Sequence, residues 1–130
     1  MPKPGPEPAR RRVLFVDDEA ALVDLATHAL ARVGYEVVPA YSGLQALDTL
    51  QREADALDAI VLDLVLPDIG GGELIERMRS INASIPIVVS SGLDREQALR
   101  VAPGMTAFLH KPYGPSDLRA TLDAVTADPT

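Results

Sequence analysis

The feature that most narrows the fold is a fivefold alternation of short β-rich runs with longer stretches of helical periodicity. "RVLFVDD" opens the series. Residues 19–33 follow, with Leu22, Leu25, Ala26, Ala29 and Val33 at i, i+3, i+4 spacing, the pattern of one apolar helix face. Gly34 then closes that helix in the manner of a C-terminal glycine. "YEVVPAY" is a second strand, and Pro39, with no amide hydrogen for a ladder, places it at a sheet edge. Ser42, with Gln45 three residues on, starts a second helix as a capping box. "DAIVLDL" is a third strand, and the helix over roughly 73–81 presents Leu74, Ile75, Met78 and Ile81. "IPIVVSS", the short helix "DREQALRV", "MTAFLHK" and "PSDLRATLDAV" complete the series, with Leu118, Leu122 and Val125 on one side of the last helix.

Five β/α units in order predict an α/β fold, an open, doubly wound, five-stranded parallel sheet with helices on both faces. Strands three and four are apolar nearly throughout, as central parallel strands must be. In such a sheet ligands bind outside the carboxyl ends of the strands.

Composition excludes several classes. The 130 residues fit one domain, with 47% apolar and 24% charged residues, enough for an ordinary core. The expected division is a Pro-rich tail over residues 1–10, one domain over 11–127 and a short tail over 128–130. A net charge of −7 argues against a nucleic-acid binder. The absence of cysteine excludes disulfides, thiolate catalysis and sulfur-ligated zinc. "MPKPGPEPARRR" has no apolar segment behind its charges, so it does not read as a signal peptide. No apolar run approaches the roughly 18 residues of a membrane helix. The expectation is a soluble, cytoplasmic protein.

The strand ends carry the chemistry. They supply Asp17 and Asp18, then Asp63, then Ser90 and Ser91, then His110, Lys111 and Pro112. Clustered carboxylates repel one another unless a cation joins them. Oxygen-only donors suit a hard cation such as Mg2+, with Mn2+ as an alternative. An ammonium and a hydroxyl nearby are what phosphoryl transfer requires, and a carboxylate can itself be the nucleophile. Asp63, central in the sheet, is the candidate.

The set "VLFVDDE", "VLDLVLPDIGGGE", "PIVVSSG" and "FLHKPY" resembles the receiver domain of two-component response regulators over about residues 12–126. The resemblance implies strand order 2-1-3-4-5. It implies that Asp63 is the phosphoacceptor and that Asp17 and Asp18 hold Mg2+, Asp18 the more direct ligand. The backbone carbonyl of Val65 is implied as a further ligand and Lys111 as the phosphate-binding lysine. Ser91, five residues after Pro86, matches the switch hydroxyl, and Phe108 the aromatic switch position. The Lys111–Pro112 bond is implied to be cis. Pro67 and Gly71 fit the family's turn into the third helix, and the extra glycines at 70 and 72 are expected to soften that helix start. His28, His110 and Tyr113 read as structural or packing residues.

The implied function is a switch phosphorylated by a histidine kinase or a histidine phosphotransfer protein, with a downstream protein target. The implied oligomeric state is a monomer or a weak phosphorylation-dependent dimer, and no nucleic acid or membrane partner is implied. Beyond slow autodephosphorylation, for which the apolar Val65 speaks, no enzymatic turnover is expected. The alternatives are a receiver that works without phosphate, although every phosphoryl-site residue is retained, and a receiver excised from a hybrid histidine kinase. An aspartate-nucleophile phosphatase is disfavoured, because Val65 stands where that class has a second acid. A flavodoxin-like binder is disfavoured because no phosphate loop follows strand one. The segment from Ser91 to Lys111 is a little short for the family, and "VAPGM" predicts an early end to the fourth helix.

Overall fold

A computed structural model of the chain describes residues 10–127, so the tail expectations for 1–9 and 128–130 lie outside the described residues. Five strands and five helices alternate: β1 (Arg11–Val16), α1 (Ala20–Ala31), β2 (Tyr35–Ala40), α2 (Gly43–Glu53), β3 (Ala59–Asp63), α3 (Gly71–Ile81), β4 (Ile87–Ser91), α4 (Arg95–Val101), β5 (Ala107–His110) and α5 (Pro115–Thr126). All strand pairings are parallel, in the order β2-β1-β3-β4-β5. Pro39 lies on the edge strand β2, where its missing amide hydrogen costs no ladder bond.

Residue parity along the strands divides the core into two layers. Leu14, Val16, Ile60, Leu62, Ile87 and Val89 face α2, α3 and α4. Val13, Phe15, Val61, Val88 and Leu109 face α1 and α5, where Leu30 and Leu122 meet them. β3 and β4, central in the sheet, are buried at every position.

Local signals hold in part. α1 turns its core face differently from the predicted stripe. Val23, Ala26 and Leu30 are buried, whereas Leu25 is 66% exposed. The helix "AALVDLATHALA" is apolar over much of its circumference, so several registers of i, i+3, i+4 spacing fit it. Its cap is Arg32, and the chain turns over to Gly34, whose φ of +96° is the left-handed conformation. Ser42 caps α2 by accepting from the Gln45 amide, but the Gln45 side chain accepts from the Tyr41 amide rather than from Ser42. α4 ends after seven residues, with Asp94 and Gln97 forming a complete capping box at its start. No helix among the described residues is long and apolar enough to cross a membrane.

Candidate functional site

β1, β3 and β5 deliver their last residues to one edge of the sheet. Asp17 follows β1 and is 1% exposed, Asp63 ends β3 and is 8% exposed, and Asp18 is open to solvent. The three residues place one carboxylate oxygen each within 4.8 Å of one another. The donor set is oxygen only and partly open, which fits a hard divalent cation that keeps some of its water.

Lys111 closes the cluster. Its Nζ donates to Asp63 Oδ2 at 3.1 Å and to Asp17 Oδ2 at 3.2 Å. Burial alone would lower the ammonium, but the hydrogen bond to Asp63 and the charges of Asp17 and Asp63 outweigh it and hold the group above its ordinary value. The other oxygens of Asp17 and Asp63 are oriented by backbone. The Glu19 amide donates to Asp17 Oδ1 at 2.9 Å, and the Val65 amide donates to Asp63 Oδ1 at 3.0 Å. Asp63 is thus held from both sides, with each oxygen given a defined donor.

The turn after Asp63 is tight. Val65 bridges to Gly70 and exposes 74% of its surface at the mouth of the site. Gly71 starts α3 where an added Cβ would stand 2.5 Å from Leu64 Cδ2 and 2.9 Å from the Leu64 carbonyl oxygen. Glycine at position 71 allows that approach, whereas a side chain at Gly70 would meet open space.

Ser91 is buried at the end of β4, and its Oγ accepts from the Leu93 amide at 3.0 Å, holding it in the β4–α4 turn. The Lys111 amide donates to the Ser91 carbonyl at 2.8 Å, so the ends of β4 and β5 are tied at the site. The Lys111–Pro112 bond is cis. Phe108 is half-buried against the α2/α3/α4 layer and meets the exposed His110 edge-on, with centroids 6.2 Å apart. Asp17, Asp18, Asp63 and Lys111 therefore come together, with Val65 beside them through its backbone. Ser91 stands at the adjoining strand end, and Phe108 lies away from the carboxylates on the other face.

Two residues carry more than their sequence context signals. Asp68 reaches from the β3–α3 turn to the start of α2, accepting from the Leu44 amide at 2.9 Å and the Gly43 amide at 3.0 Å. Those bonds, Leu44's first, hold its carboxyl below the usual range. Tyr113 packs on the α1/α5 layer as expected, but its hydroxyl is buried without a hydrogen-bond partner among the described residues. Nothing local marks the reach of Asp68 to the start of α2 or the isolation of the Tyr113 hydroxyl.

This sheet order, with an acid-and-lysine cluster at its carboxyl edge, defines a doubly wound domain of the receiver class. Residues 13–123 match the model of the response regulator receiver domain, and the chain belongs to that family. It is 32% identical over 117 residues to the alkaline phosphatase synthesis transcriptional regulatory protein PhoP of Bacillus subtilis, covering 88% of this chain and 48% of that protein. It is 33% identical over 116 residues to the response regulator MprA of Mycobacterium avium, covering 88% of this chain and 50% of that one. The chain thus spans about half the length of the curated relatives it matches. Among solved structures, the chemotaxis protein CheY4 of Vibrio cholerae superposes with a TM-score of 0.83 at 30% identity, covering 90% of this chain and 99% of that one. The receiver domain of the hybrid histidine kinase CckA does so with a TM-score of 0.76 at 30% identity, covering 88% and 98%. The chain is a receiver domain with a role in two-component signalling.

Proposed function

We propose that this receiver is switched by transfer of a phosphoryl group from the phosphohistidine of a histidine kinase or histidine phosphotransfer protein to Asp63, in the cytoplasm. The observation that carries the reading is the Lys111 ammonium bridging Asp17 and Asp63 within a cluster of three carboxylates. In the transfer, an Asp63 carboxylate oxygen attacks phosphorus, a P–O bond forms, and the P–N bond breaks with its electron pair returning to the donor imidazole. The backbone amide of Val65 fixes the Asp63 carboxylate for that attack. Lys111, which holds Asp17 and Asp63 in the resting site, would turn to a phosphoryl oxygen and neutralise its charge.

Asp17, Asp18, Asp63 and the Val65 carbonyl would hold Mg2+, with Mn2+ as a substitute, and the cation supplies charge neutralisation at the transferred group. Ser91 would then leave the Leu93 amide for the phosphoryl group, Phe108 would follow, and the α4–β5–α5 surface would change towards a downstream protein target. Nucleic acid and membrane are not direct partners in this reading. The switch is a monomer or a weak phosphorylation-dependent dimer, and its only turnover is slow loss of its own phosphoryl group.

The test is intact mass after incubation with Mg2+ and a small phosphodonor, beside an Asp63→Asn control. A gain of one phosphoryl group that needs Mg2+ and is absent from the control supports the reading. A folded protein that gains nothing from either the small donor or phosphorylated histidine phosphotransfer proteins overturns it.

A further inference from the structure

Tyr113 lies two residues past Lys111, in the turn between β5 and α5. Its ring has apolar company, but its hydroxyl is buried and unpartnered among the described residues. Burial pushes the phenol up to about 12. Buried polar groups are nearly always paired, so an orphan at a functional site calls for an explanation. A phenylalanine would fill the same apolar space without that cost.

The candidate partner is Ser90. Its hydroxyl makes no hydrogen bond to the Tyr113 phenol in the resting arrangement. Ser90 is 2% exposed and is the register partner of Asp63 on β4. Strand parity puts Ser90, Asp63 and Lys111 on the α1/α5 side with Tyr113, and Ser91 on the other side. The Lys111 amide is bonded to the Ser91 carbonyl, so a displacement of Ser91 moves both Ser90 and the turn that carries Tyr113.

We propose that Tyr113 is a positioning residue whose hydroxyl donates to Ser90 only when Asp63 is phosphorylated, tying the Lys111 turn to β4 and prolonging the life of the phosphoryl group. The proposal rests on the phosphoacceptor reading above. In the resting state the hydroxyl is a cost, and in the phosphorylated state the pair offsets it, which biases the site towards the phosphorylated arrangement.

The test is a double-mutant cycle with Tyr113→Phe, Ser90→Ala and the double variant in the full chain. Two quantities are read: thermal unfolding of the unphosphorylated proteins, and the rate of phosphoryl loss by intact mass. Tyr113→Phe is expected to unfold at the wild-type temperature or above it, yet to lose its phosphoryl group about fivefold faster, the worth of one buried hydrogen bond. Ser90→Ala is expected to speed the loss similarly, and the double variant to be no faster than either single one. An unchanged rate in Tyr113→Phe, additive effects in the double variant, or a resting protein destabilised by Tyr113→Phe overturns the proposal. Failure of the wild-type chain to gain a phosphoryl group is a separate result, which overturns the phosphoacceptor reading and this proposal with it.

Discussion

Replacing Lys111 with methionine removes the ammonium while keeping a stem of similar length. Nζ stands 3.1 Å from Asp63 and 3.2 Å from Asp17, whose side chains are 10% and 2% exposed, whereas that of Lys111 is 27% exposed. At an effective dielectric near 20, each contact is an attraction of about 5 kcal/mol before desolvation is subtracted. Removing one partner of a buried ion pair costs about 3–5 kcal/mol, because the other charge is left uncompensated. The partial hydration of Lys111 favours the lower end, so Lys111→Met should lose about 3 kcal/mol in metal-free buffer, a large share of the ~5–15 kcal/mol typical of a whole domain. The ammonium is held above its ordinary value, so its contribution is complete at neutral pH and fades only as pH climbs beyond about 10.4, through the folded value. Urea unfolding followed by circular dichroism, in EDTA and in Mg2+, measures the difference. With Lys111 gone, three carboxylates remain without their ammonium, so Mg2+ should bind the variant more tightly and stabilise it more than the wild type. The gap between the two proteins should therefore narrow as Mg2+ is added. Equal stability in EDTA, or a gap that ignores Mg2+, would refute the reasoning.

Three further outcomes are expected. Asp68→Ala removes the carboxylate that accepts from the Gly43 and Leu44 amides, and should cost about 1 kcal/mol at pH 7. The folded value of Asp68 is lowered, so its stabilisation is complete above about 3.9 and lost as pH falls through that lowered value; urea titrations should show the gap closing on acidification. Val65→Asn puts an amide in place of an exposed apolar side chain at the mouth of the site and should shorten the phosphoryl half-life, and a wild type that decays faster than the variant would count against that. Arg79→Met removes donors from the Ile85 carbonyl at 2.5 Å and the Gly104 carbonyl at 2.9 Å, and should cost about 2 kcal/mol, with faster hydrogen exchange at the start of β4 and in the α4–β5 connection.

The parts of the molecule that were legible in the sequence are those where one residue's neighbours along the chain decide its environment. β3 and β4 read as central strands because burial on both faces demands unbroken apolar runs, and Pro39 read as an edge residue because no central strand can spare an amide. The acid-and-lysine cluster was legible for a related reason. In a parallel sheet every strand ends at the same edge, so Asp17, Asp63 and Lys111, each just at or past its strand's last residue, must converge once the alternation is recognised. The α1 face was not legible, since its composition supports more than one apolar stripe and only the position of the helix on the sheet chooses Val23 and Leu30 over Leu25.

Contacts across the fold are a different matter. Asp68 meets Gly43 from 25 residues away, and no periodicity connects them. Gly72, expected only to weaken the start of α3, proves to be a packing site: an added Cβ would stand 2.5 Å from the Val101 carbonyl oxygen, so glycine there lets the end of α4 rest against α3. That contact and the early stop of α4 belong together, because a chain leaving α4 after seven residues must turn back over α3 at once, and Arg79 then holds the returning segment by the Gly104 carbonyl. The short fourth helix is therefore anchored at its C-terminal end by α3. A displacement that starts at Ser91 would have to be absorbed in the β4–α4 turn and the N-terminal part of α4, before the point where Gly72 and Arg79 grip the chain.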